Sequence, residues 1–251
     1  IYFAVCKDIV GYYNHVKTVS DDMQAILDEV ECENFSQGPS GCTKVLDLIE
    51  FKAGEIMGTV GHKQGNFDFG LIDLRIELDF VNLERYGDRT PHIQCALDYY
   101  STEMKESLYK RIDRDDKTCN TVMQDIPGTL QGNWFHESAE AIYEINWDMH
   151  LAFVGDWEQS KAQVVSVAGI FTEPGKFEFI PRNSGSTNRN FAEVTPGKVY
   201  CYQSEDLGKW YQGAKGKIIV EMIDEETIHI EHKNGKCSSN EKLNNPEVYK
   251  R

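Results

Sequence analysis

The sequence predicts a mainly β chain: an N-terminal β-sandwich or barrel-like domain with two helices, followed by an antiparallel β-barrel or sandwich. Three observations predict this. Short runs rich in β-branched and aromatic residues recur along the chain, and turn signals space them regularly in the second half. Helical periodicity surfaces only twice.

Residues 1–19 (IYFAV, then DIVGYYNHVKTV) read as strands. Ser20 is placed to cap a helix over 20–31, with Asp21 and Asp22 in its first turn and Met23, Ile26, Leu27 and Val30 at helical spacing. A Gly/Pro/Ser loop at 36–41 precedes four strand-like runs, VLDLIEF, EIMGTV, FDFGLIDLRIELDF and IQCALDYY. A second helix is expected over 101–112, where Met104, Leu108 and Ile112 recur every four residues. The charged run starting at Asp113 and the Pro127-Gly128 turn mark 113–127 as a linker between a first domain (1–112) and a second (128–251). In the second domain eight short strands are expected: QGNWFHE, AIYEINW, HLAFVGDW, AQVVSVAGIF, KFEFIP, KVYCYQ, KIIVEMID and TIHIEHK. The last two alternate apolar and polar residues around a tight turn.

With 26 basic and 41 acidic residues among 251, the net charge is −15, a field that repels phosphate backbones and anionic lipid. No apolar run reaches the roughly 18 residues that span a bilayer. The opening Ile1-Tyr2-Phe3-Ala4-Val5, without an initiator Met, is expected of a mature or trimmed product. Seven cysteines lack zinc-site spacing and suit a disulfide framework instead. The expected pairs are Cys32–Cys42, Cys95–Cys119 and Cys201–Cys237, with Cys6 left free or paired elsewhere. Asn34-Phe35-Ser36 is a glycosylation sequon, and the compartment expected is extracellular or periplasmic.

No Gly-x-Ser-x-Gly elbow, phosphate-binding loop or dinucleotide fingerprint occurs. The carboxylates at 113, 115 and 116 lack the glycine and closing glutamate of a calcium loop. Tyr13-Asn14-His15-Val16, followed by Phe51-Lys52-Ala53-Gly54-Glu55-Ile56-Met57-Gly58-Thr59-Val60-Gly61, resembles the lysostaphin-type zinc endopeptidases over residues 10–75. That resemblance implies a glycine turn leading to a strand bearing H-x-H, and it matches His15 to a non-ligand active-site histidine. Here Phe67-Asp68-Phe69 stands at the H-x-H position, so both ligand positions carry phenylalanine on one strand face. The upstream His and Asp ligands implied by the family have no counterpart. Were the domain an enzyme, His15 and Asp68 would be its catalytic candidates and zinc its cofactor. Otherwise no metal or cofactor is expected.

Gly132-Asn133-Trp134 resembles the G-x-W start of lipocalin-like barrels, which implies an interior either packed solid or open to a small ligand. Trp134, Trp157 and Trp210 are candidate stacking residues, and Asn188 and Arg189 lie in a polar loop suited to recognition. The function expected is a non-catalytic extracellular binding or assembly protein, built on a decayed peptidase-like domain plus a β-barrel. Its partner would be a protein or carbohydrate at the cell surface, or further copies of itself. One alternative is a secreted zinc hydrolase acting on peptidoglycan or peptide; another is a structural subunit of a surface layer or filament.

Overall fold

The computed structural model describes residues 1–31, 44, 49–61, 66–139, 147–209 and 213–251. It falls into two compact units, Ile1–Leu71 and Ile72–Arg251. The expected Cys32–Cys42 pair, the Asn34 sequon, the strand run over 141–146 and Trp210 lie outside the described residues.

In the first unit, β1 (Tyr2–Cys6) pairs antiparallel with β2 (Ile9–Asn14), placing Tyr2 opposite Tyr12 and Phe3 opposite Gly11. β3 (Thr18–Val19) leads to α1 (Asp21–Glu29), whose cap Ser20 accepts the Met23 N–H as the sequence predicts. The EIMGTV run contributes only β4 (Gly58–Thr59), paired with β3. β5 (Asp68–Asp73) lies on the other side of β2 from β1 and carries the chain into the second unit. The sequence pattern extends that strand to Phe80, but it stops at Asp73. There the carboxylate accepts the Arg75 N–H at 3.1 Å, and Ile76 N donates to the Asp73 carbonyl, closing a turn. The buried Asp73 carboxylate also takes Arg75 Nε, Arg75 Nη2 and the Tyr99 hydroxyl, at 2.8, 2.6 and 2.7 Å. Arg75 first, then Tyr99, hold the Asp73 carboxyl well below the usual carboxylate range, while burial and Asp73 push Tyr99 up to about 12.

The second unit begins with β6 (Ile93–Gln94) and α2 (Thr102–Tyr109), within the helix expected from residue 101. It then builds an eight-stranded antiparallel sheet. Its strands are β7 (Gly132–His136), β8 (His150–Gly155), β9 (Gln163–Val167), β10 (Gly175–Phe179), β11 (Val199–Tyr202), β12 (Lys217–Met222), β13 (Thr227–Lys233) and β14 (Glu247–Lys250). Around the sheet the order is β10-β9-β8-β7-β14-β13-β12-β11, so consecutive strands are neighbours except β10 and β11, and β14 returns to β7. This is an up-and-down arrangement, nearly closed, whose single break separates β10 from β11.

Apolar side chains at alternate positions of every strand converge on one core. Trp134, Phe153, Phe177, Phe179, Phe191, Tyr202 and Tyr249 are all essentially without solvent exposure, as are Leu130, Ile218 and Met222. The barrel is therefore filled with side chains, the solid one of the two interiors that the G-x-W resemblance left open. The charged run over 113–127 lies within this unit. Arg114 Nη1 donates to the Asp156 carbonyl, Asp115 N donates to the Glu158 carbonyl, and Asp125 accepts Val81 N and Asn133 N. Phe80 and Tyr86 pack with Phe135 of β7, extending the unit far upstream of the barrel strands.

The β10/β11 break is where an open sheet would expose two unpaired edges, and both are covered. Glu205 N and Ala214 N donate to the Glu178 and Lys176 carbonyls of β10, each at 2.8 Å. On the other edge Cys201 N donates to Ser186 O and Asn188 N to Cys201 O. Asn188 then continues the ladder with its side chain. Gln203 N donates to Asn188 Oδ1 at 2.9 Å, and Asn188 Nδ2 donates to Gln203 O at 3.2 Å and Glu205 Oε1 at 3.0 Å. Asn188 is fully buried at φ +51, a conformation Asn tolerates better than most residues. Asn188→Ala strips these partners inside the fold and is expected to cost about 2 kcal/mol, read as a lower denaturant midpoint with an unchanged m-value.

Among the described residues two disulfides, Cys95–Cys119 and Cys201–Cys237, are formed, and they mark an oxidising compartment. Among the described residues no helix is long and apolar enough to cross a membrane.

Candidate functional site

The first unit's sheet has two contrasting faces. Residues 67 and 69 share one face and stack on Tyr13, with ring centroids 5.4 and 5.2 Å away, and Phe3 lies 4.9 Å from Tyr13 on its other flank. This is an aromatic cluster at the position where the lysostaphin-type resemblance implies imidazoles.

The other face is built around Gly70. A Cβ added there would lie 2.0 Å from Cζ of Tyr12, so only glycine lets the Tyr12 ring lie down against β5. Tyr2, opposite Tyr12 in the register, stands beside it with ring centroids 5.6 Å apart and planes inclined by 35°. More than half of the Tyr2 surface is open to solvent. The exposed Tyr2 ring and the half-buried Tyr12 ring form an aromatic platform.

Asp68, two positions along β5 from Gly70, shares that face by strand alternation. His15 follows β2, and simple alternation would turn it to the Phe3–Tyr13 side. Instead φ at His15 is +59, which breaks the alternation and brings Nε2 to 3.2 Å from Asp68 Oδ2. The pair is partly exposed, with 30% and 48% of the two side chains open to solvent. The two residues nominated from sequence as a catalytic pair are thus brought together, through a backbone conformation that no sequence pattern announces. A carboxylate and an imidazole beside two ring faces supply acceptors and a donor next to an apolar stacking surface, a combination suited to a polyhydroxylated ligand.

A catalytic zinc needs three protein ligands and an open position. Among the described residues no group of three or more His, Cys, Asp or Glu is arranged to hold a metal ion, and His15 with Asp68 provides two donors.

The remaining nominated residues scatter. Trp134 lies inside the barrel, where its Nε1 donates to Leu130 O at 2.9 Å and the Arg251 guanidinium stacks 4.2 Å above its ring. It is a core residue, unavailable for stacking on a ligand. Asn188 is likewise buried, for the reasons given above, and Arg189 is engaged with Glu193 at 2.7 Å. Trp157 is half exposed, with Lys176 Nζ 6.0 Å from its ring centroid. Tyr2 and Tyr12 were not nominated from sequence. The signal for them was Gly70 one strand away, visible only once the register is known.

No protein-family model matches the chain, and neither a curated protein nor a solved structure matches it at a significant level.

Proposed function

We propose that this is a non-catalytic extracellular binding protein, whose first unit descends from a lysostaphin-like domain and whose barrel acts as a solid scaffold. On this reading the ligand, a carbohydrate or a glycosylated protein of the cell surface, lies against Tyr2 and Tyr12 and hydrogen-bonds to His15 and Asp68. The observation that carries the reading is the platform itself: the exposed Tyr2 ring and the half-buried Tyr12 ring side by side near a polar pair, with Gly70 leaving room for Tyr12. The filled barrel supports it by leaving the outer surfaces as the binding surfaces. The two disulfides support a secreted or periplasmic location.

The test is retention on an array of immobilised neutral oligosaccharides, comparing the wild type with Gly70→Ala and Tyr12→Ala. Loss of about 1.4 kcal/mol of contact is tenfold in affinity, and each substitution is expected to weaken retention roughly tenfold with the fold intact. Retention equal to wild type in both variants would refute the platform.

The secreted hydrolase is a second reading, favoured by the 3.2 Å approach of His15 and Asp68. Stoichiometric zinc in the purified protein, lost together with hydrolytic activity in His15→Ala, would establish it and displace the binding reading.

A further inference from the structure

The barrel carries a second feature, independent of the tyrosine platform. A cleft of about 560 Å³ lies along the outer edge of β11, between that strand with its covering loop and the segment linking β13 to β14. Its volume falls within the range of small-ligand sites. Lys198, Tyr200, Lys242, Ser186, Ser239 and Asn240 line it.

The walls are fixed. The Cys201–Cys237 disulfide staples the β13–β14 segment to β11, and Cys237 N donates to Gln203 Oε1 at 2.7 Å. Lys233 Nζ donates to the Lys242 carbonyl at 2.7 Å. Glu241, the one carboxylate in the lining, is already committed. It holds Lys217 Nζ at 2.6 Å and takes the N–H and hydroxyl of Ser238 at 2.7 and 2.8 Å. Burial would raise the Glu241 carboxyl, but Lys217 and Ser238 outweigh it and hold it ionised below its usual range.

With Glu241 neutralised by Lys217, the cleft is left with two exposed ammonium groups, Lys198 and Lys242, in a chain of net charge −15. Lys198 lies over the Tyr200 ring, its Nζ 5.5 Å from the centroid, which holds one ammonium at the cleft floor. Two serine hydroxyls and an asparagine amide add neutral donors and acceptors.

The geometry points to a binding site for a small acidic saccharide, its sulfate or carboxylate set between Lys198 and Lys242 and its hydroxyls on Ser186, Ser239 and Asn240. The anion is the element of recognition: two ammonium groups lining one cleft select it, and neutral hydroxyl contacts orient what it is attached to.

The experiment is a calorimetric titration of the intact chain with a sulfated uronate–hexosamine disaccharide and with its unsulfated, carboxyl-reduced counterpart, at two salt concentrations. Saturable binding of the acidic form is expected, weakening as salt rises, with at least tenfold weaker binding of the neutral form. Lys198→Gln with Lys242→Gln is expected to weaken the acidic form at least tenfold, and Lys161→Gln, at an exposed lysine outside the cleft, to leave it unchanged. Equal affinity for both disaccharides, no saturable binding, or an unaltered double variant would overturn the assignment. Should the double variant fail to fold, amide shift mapping on the wild type decides. Perturbations centred on 198–201 and 239–242 support the site, and perturbations elsewhere refute it.

Discussion

Lys209→Met is expected to lower the free energy of unfolding by about 3–5 kcal/mol, the cost of removing one partner from a buried ionic cluster. The Lys209 side chain is 5% exposed and its ammonium touches three carboxylates. Asp156 Oδ2 lies at 2.7 Å, Glu178 Oε1 at 3.0 Å and Glu158 Oε2 at 3.4 Å, the first two from side chains with almost no exposure. Glu178 sits between Phe177 and Phe179 on β10, so strand alternation turns it away from the core. It is buried because the segment after β11 folds over that strand and delivers Lys209 to it. Methionine would keep most of the stem's packing and leave the carboxylates facing one another in a poorly solvated space. The deficit should depend on pH. Burial alone would raise the Asp156 carboxyl, but Lys209 and the N–H groups of Gln159 and Glu158 outweigh it and hold it below its ordinary 3.8. Its contribution in the wild type is thus complete above that value and is lost as pH falls through the folded-state pKa. The variant has less of this contribution to lose, so the gap between the two proteins should narrow toward acid. Chemical denaturation at pH 7 and at about pH 2, below the folded-state pKa, measures both effects.

Trp134→Ala is expected to cost about 3–5 kcal/mol, through the cavity left by a large core side chain. The indole also loses its bond to Leu130 O, and Arg251 loses the ring beneath its guanidinium. For a unit of this size the loss corresponds to a melting midpoint lower by roughly 10 °C. The folded fraction should bind ligand as before, because Trp134 faces the barrel core and not solvent. A variant with wild-type stability and reduced binding would reverse that assignment. Differential scanning calorimetry alongside oligosaccharide retention separates the two cases.

Much of the barrel is legible in the sequence because each strand carries its own signal. KIIVEMID and TIHIEHK alternate apolar and polar residues, and they appear as β12 and β13 with Ile218, Val220, Ile228 and Ile230 inward. β14 is not legible. It is four residues, Glu247–Lys250, and it exists because β13 and β7 pair with it on both sides. Nor is the role of the Asn188 loop: its polarity and glycine content read as recognition, whereas its side chain replaces a missing stretch of backbone at the sheet break. Exposure separates the two meanings of such a loop, and exposure follows from tertiary packing. At the platform, Gly70 marks a close approach, but its partner Tyr12 lies 58 residues upstream. The His15–Asp68 pair depends on one left-handed backbone torsion that composition does not encode.

The central claim is that ligand is held on an outer aromatic face, with the barrel filled and serving as support. The most direct measurement is retention of the Tyr2→Ala, Tyr12→Ala double variant on the oligosaccharide array, with calorimetry confirming an unchanged melting midpoint. The account predicts that retention falls to background while the barrel melts as in the wild type. Full retention by the double variant, or a ligand found enclosed among Phe153, Phe177 and Tyr202, would contradict it.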